Sequence, residues 1–157
     1  MSQTIRPADI RKSFVVRATP EKAWAVFTSG FGRWWPKTHY IGPSPLTDAV
    51  VEPRAGGRWY GVHADGVERP WGAVLAWEPP RRLLLDWQIS HEWGYQPDLH
   101  TDVEVLFVPV GDGETRIDFT HRDLERFGDS EAAAATRAGM DRGWGLILEA
   151  FKVAAES

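Results

Sequence analysis

Cysteine is absent from all 157 residues. That single absence excludes disulfides, thiol nucleophiles and thiolate metal sites. Long apolar runs are missing too: nowhere do 18 apolar residues follow one another, and Met1 to Lys12 is polar, without the apolar segment of a signal peptide. Membrane insertion is therefore not expected, and the expected location is the cytoplasm. Positive charge is not in excess either. A net charge of −4 with mixed signs offers no basic field to nucleic acid. No serine stands in a Gly-x-Ser-x-Gly elbow, and Gly56-Gly57 is followed by neither a helix nor the Lys-Ser/Thr of a phosphate loop. His91-Glu92 and His100-x-Asp102 bracket a loop and match no ligand spacing, so neither a metal nor a cofactor is expected.

What the chain has in unusual number is tryptophan, nine residues of it. Indoles are large and carry an N–H that wants a partner, which fits a wide aromatic interior or pocket as well as a simple aromatic core. The length suits one domain with a real core, preceded by a tail over residues 1–9.

The longest regular stretch runs from Ser130 to Ala155, about 26 residues without proline and with Asp129 or Ser130 able to cap its start. Met140, Trp144, Ile147, Leu148 and Phe151 recur at helical spacing and form one apolar stripe. Gly139 and Gly143 sit one turn apart on its flank, each costing roughly 1 kcal/mol relative to alanine. They imply close packing against a sheet or room left for a ligand.

Earlier in the chain, Ile10 to Arg17 reads as a strand stopped by Thr19-Pro20, which in turn cap and open a short helix carrying Trp24 and Phe27 to about Gly30. Gly32-Arg33-Trp34-Trp35-Pro36 follows, then loop to residue 47. Six short strands are predicted next: Ala49 to Pro53, Gly57 to Ala64, Trp71 to Trp77, Arg82 to Ser90, Thr101 to Val110 and Glu114 to Arg122. Their short connections imply an antiparallel meander. In the last three, Leu83, Leu85, Trp87, Ile89, Val103, Val105, Phe107, Ile117 and Phe119 share one face, while Asp86, Gln88, Asp102, Glu104, Arg116 and Asp118 share the other.

Several stretches carry a family resemblance: Ala18-Thr19-Pro20-Glu21-Lys22-Ala23-Trp24, Gly56-Gly57-Arg58-Trp59-Tyr60, Trp71-Gly72-Ala73-Val74 leading to Glu78-Pro79-Pro80-Arg81-Arg82-Leu83, and Gly143-Trp144. In this order and spacing the chain resembles the START-like, helix-grip superfamily (SRPBCC), and within it the activator of heat-shock protein 90 ATPase homologues. The resemblance implies an α+β helix-grip fold: a curved seven-stranded antiparallel sheet around a long C-terminal helix, two short helices after the first strand, and a cavity that in relatives holds apolar small molecules. It implies no one chemistry, because the superfamily includes carriers, receptors, cyclases and co-chaperones. The eponymous co-chaperone engages its chaperone through a separate N-terminal domain for which this sequence has no residues, which argues against a chaperone partner.

The expected function is binding of a small hydrophobic or aromatic molecule between sheet and long helix. Trp34, Trp59, Trp71, Trp87, Phe107, Phe119, Trp144 and Leu148 are the expected lining. His121, on the apolar face of the last strand, and Arg58 are the expected orienting groups. The loop His91 to Pro97 reads equally as a lid or as ordinary surface. Two further readings stand beside this one: a cyclase- or hydrolase-like enzyme using His121, and a stress-related interaction module presenting Trp35 and Trp93. The sequence is silent on monomer against homodimer and assigns no catalytic residue.

Overall fold

The computed structural model describes residues 8–157. The tail expected over residues 1–9 lies mostly outside them. Strand β1 (Ile10–Val16) leads into α1 (Pro20–Phe27) and the single turn α2 (Phe31–Trp34). Six strands follow: β2 (Leu46–Val51), β3 (Arg58–His63), β4 (Glu68–Glu78), β5 (Arg82–Trp87), β6 (Thr101–Gly111) and β7 (Glu114–His121). A 3-10 turn at Leu124–Phe127 then precedes the long helix α3 (Glu131–Glu156). The strands form one sheet in the order β1-β7-β6-β5-β4-β3-β2, antiparallel throughout, so the meander expected of β2 to β7 is closed by β1 docking beside β7.

The sheet curls because its ladders slip. Register shifts occur between Leu46 and Asp48, Trp59 and Tyr60, Val74 and Ala76, and Pro109 and Gly111. Each such irregularity sharpens the local twist and bends the strand that carries it. The concave face receives α3 through Met140, Trp144, Ile147, Leu148 and Phe151, the stripe read from the sequence, all of them buried. Phe151 is the centre of this contact: its ring meets Phe14, Phe27 and Trp34 at centroid distances of 6.4, 5.1 and 5.4 Å. Helix starts follow local chemistry. Thr19 Oγ1 accepts from Lys22 N at 3.2 Å, and Ser130 Oγ accepts from Ala133 N at 3.0 Å. Replacing Ser130 with alanine is expected to remove about 1 kcal/mol of stability, read as a lower urea midpoint with unchanged slope.

Three differences from the sequence reading have local causes. β2 starts at Leu46, ahead of the expected Ala49, because Pro45 suits the entry to an edge strand and Thr47 Oγ1 donates to Val62 O at 3.0 Å. β4 runs through Pro70, since the proline falls at the slip opposite Tyr60. Asp86 and Gln88, placed on the outer face by alternation, are nonetheless buried. The loop after β5 folds back over them: Gln88 Nε2 donates to Pro97 O at 3.0 Å, and His100 Nδ1 lies 2.6 Å from Asp86 Oδ2.

Candidate ligand cavity

The C-terminal half of α3 is sealed against the sheet, whereas its middle stands off. An ideal Cβ built on Gly139 or Gly143 meets no atom within 4 Å, so these glycines do not serve close packing. They face a cavity of about 430 Å³, a size that accepts a small organic ligand. Its sheet wall is Trp71, Trp87 and Ile89; its helix wall is Gly139, Met140, Gly143, Trp144 and Ile147; the segment after α2 supplies Trp35, Thr38, His39, Tyr40 and Ile41. Trp93, on the loop after β5, completes the rim and is 49% exposed. Trp93 sits at φ 63°, a left-handed conformation that a bulky residue adopts only when its surroundings hold it. Here Gly94 O accepts from Ser90 N at 2.8 Å, and His91 O accepts from Thr136 Oγ1 of α3 at 3.1 Å.

Five indoles form a closed circuit around this space. Centroid distances are 4.9 Å for Trp35–Trp71, 5.5 Å for Trp71–Trp59, 5.5 Å for Trp59–Trp87, 5.4 Å for Trp87–Trp144 and 5.9 Å for Trp144–Trp35. All five pairs are tilted or edge-on, the arrangements that the ring quadrupole favours. Four of the five rings line the cavity, and Trp59 lies behind them.

Hydrogen bonds lock two of the walls together. The Trp144 indole N–H donates to His121 Nδ1 at 3.2 Å. An indole nitrogen can only donate, so His121 Nδ1 is bare and its proton sits on Nε2. That proton goes to Thr101 Oγ1 at 2.9 Å, and the Thr101 hydroxyl donates to Trp87 O at 2.9 Å. His121 is fully buried, and burial pushes its pKa down to about 3, so the ring is neutral at physiological pH.

With this geometry in hand, comparison with known proteins gives the family. The pattern of the activator of Hsp90 ATPase homolog 1-like proteins matches residues 17–156. The chain belongs to this family. A search of curated proteins found no match. Among solved structures, the anthrahydroquino-γ-pyrone synthase Txn09 is 40% identical, with 85% of this chain and 86% of that one covered and a TM-score of 0.60. The self-sacrificing resistance protein CalC from Micromonospora echinospora is 32% identical over 94% and 93% of the two chains, with a TM-score of 0.69. The Aha1 dimer from Colwellia psychrerythraea is 17% identical over 96% and 97%, with a TM-score of 0.58, and shares the fold. The helix-grip architecture of the family is the one described above.

Of the residues expected to line the hollow of this family member, Trp71, Trp87 and Trp144 do so. The others lie elsewhere. Trp34 packs in the core on Phe27, Phe31 and Phe151, and its neighbour Trp35 takes the wall position: Pro36 ends α2 after one turn and turns the second indole inward. Trp35, expected as a surface residue of an interaction module, is thus buried. Phe107 fills the core against Trp24 and Phe27. Phe119 meets Trp144 at a centroid distance of 4.6 Å with the rings tilted, leaving no hollow between that pair; the open space lies toward Gly139 and Gly143 instead. Leu148 borders a separate, more polar groove beside Lys12, Phe14 and Lys152. His121 has both ring nitrogens engaged within the core, which corrects its expected role as a ligand-orienting group. Arg58 is corrected as well: its side chain is 55% exposed, donates to Glu68 at 3.0 Å, reaches Glu52 and stacks over Tyr60. Arg58→Ala is expected to change stability by no more than about 0.5 kcal/mol and to leave ligand affinity untouched in a titration. The polar lining that the sequence reading missed, Thr38, His39 and Tyr40, sits in a loop whose inward direction has no periodic signal.

Proposed function

We propose that this protein binds a neutral aromatic small molecule in the cavity between the sheet and the middle of α3. The observation that carries the reading is the pair Gly139 and Gly143, whose missing side chains open the helix face onto the indoles of Trp35, Trp71 and Trp87. Glycine in a helix interior costs about 1 kcal/mol relative to alanine, and no close neighbour demands it at either position. Their place on the cavity lining supports a role in keeping it open. A ligand burying about 300 Å² of apolar surface would gain roughly 7 kcal/mol before the cost of association. Among the described residues no lysine or arginine lines the cavity, so the site suits an uncharged guest.

Similarity to Txn09, a synthase of a fused aromatic ring system by its name, supports a polycyclic guest and also favours a second reading. In that reading the cavity folds a flexible precursor so that two of its atoms meet, and His39 and Tyr40, the titratable groups of the lining, handle protons. Native mass spectrometry of the purified protein followed by organic extraction tests both. A bound aromatic compound, released unchanged after incubation, supports binding alone; a compound converted on incubation supports catalysis. A protein that carries nothing and saturates with no member of an aromatic panel contradicts both.

A further inference from the structure

Trp93 is set apart from the other tryptophans. Trp24 and Trp77 meet at a centroid distance of 5.0 Å, Trp34 meets Phe31 at 5.0 Å, and the remaining indoles close the circuit described above. Trp93 has no aromatic neighbour among the described residues, although it lines the cavity and is half exposed to water. Its backbone is held where a bulky side chain is disfavoured. The φ of 63° falls on Trp93, while Gly94 beside it, which would take a left-handed conformation freely, does not have one. The turn is fixed at several points: Trp93 N donates to Ser90 O at 2.9 Å, Ser90 N donates to Gly94 O at 2.8 Å, and Ile89 pairs with Tyr95 at the base. Thr136, whose hydroxyl donates to His91 O, stands one turn of α3 before Gly139 and Met140 of the cavity lining. That tether sets the turn at the mouth of the cavity, beside the part of the helix that stands off the sheet. Backbone strain of this kind persists only where the surroundings over-determine it, and it gathers at ligand clamps.

We infer that Trp93 is the residue that closes the cavity over its guest, by laying its indole on the face of the guest's ring. This rests on the binding reading above and adds the side chain that completes the enclosure. The ring partner that every other tryptophan finds inside the chain comes to Trp93 with the guest. A flat aromatic molecule supplies it, because an offset or edge-on ring contact is favourable beyond the area it buries. A turn already fixed loses little freedom when the guest arrives, so the contact goes into affinity rather than into ordering the loop.

Trp93→Asn tests the inference, since asparagine tolerates the left-handed backbone and keeps the turn while removing the ring. Calorimetric titration with fluorenone, a flat uncharged probe, is expected to give about ten-fold weaker binding in Trp93→Asn than in the wild type, with Trp93→Phe between the two. The thermal midpoint of Trp93→Asn is expected to equal or exceed that of the wild type, because the strained residue is relieved. In ¹H–¹⁵N spectra of the wild-type protein, the assigned Trp93 indole resonance is expected to shift upfield at saturating fluorenone, shielded by the guest's ring current. That readout needs no variant, and it decides the matter if Trp93→Asn proves less stable. Wild-type affinity in a stable Trp93→Asn, or an unmoved Trp93 resonance at saturation, would overturn the assignment while leaving aromatic binding intact. If fluorenone does not saturate the wild-type protein, the binding reading falls and the assignment falls with it.

Discussion

Between pH 7 and pH 5 the protein is expected to lose about 2 kcal/mol of folding stability through His121 alone. The native ring, fully buried with its bare Nδ1 accepting from Trp144, has its pKa pushed down to about 3, while the unfolded chain titrates near the ordinary 6.5. From pH 6.5 down to about 3 the unfolded state therefore binds the extra proton. Stability is complete above the unfolded value and falls as the solution is acidified. Exposed carboxylates do not confuse this window. Asp65 is held at about 2, chiefly by its hydrogen bond from Arg69, and Glu156 is lowered chiefly by Lys152. Both lose their contribution only in stronger acid. Asp102 acts in the opposite sense, because burial raises its pKa. Urea midpoints of wild type and His121→Gln at pH 7, 6 and 5 separate these terms: the wild type should decline and the variant should hold nearly level. Parallel decline in both proteins would show that His121 is not the titrating group.

Gly143→Leu is expected to weaken binding of an aromatic ligand by roughly a hundred-fold or more while leaving the fold as stable as before, or more so. The position is open, so an isobutyl group placed there enters the cavity without pushing on the sheet, and leucine favours the helix where glycine does not. Gly145 is the internal control. It too has no atom within 4 Å of an ideal Cβ, but it borders the separate groove with Leu148 and Lys152 rather than the cavity. Gly145→Leu should gain the same helix propensity and keep wild-type affinity. Thermal denaturation and calorimetric titration of the two variants together distinguish a blocked cavity from a disturbed helix.

The elements of this fold were legible in the sequence where periodicity was strong. The stripe of α3 and the alternating face of β5 to β7 follow from spacing alone, and the residues of both are buried as expected. The location of the cavity was less accessible, because it depends on how far each part of α3 stands from the curved sheet. Phe119 and Trp144 lie on the right faces, yet they meet and close the place where a hollow was expected. Gly139 and Gly143 held the useful signal: two unfavourable helix residues on one flank. The partners of His121 were not readable, since Thr101 and Trp144 come to it from a neighbouring strand and from the helix. Asp86 and Gln88 show the same limit from outside, where a loop without period covers a polar face and buries it.

A crystal of the wild-type protein soaked with a brominated fluorenone and measured at the bromine absorption edge places the guest directly. The account predicts one anomalous peak between Gly139 and Gly143 of α3 and the indoles of Trp35, Trp71 and Trp87, with the ring atoms in van der Waals contact at about 4 Å. A peak confined to the separate groove beside Leu148 and Lys152, or an empty cavity at saturating ligand, would contradict it.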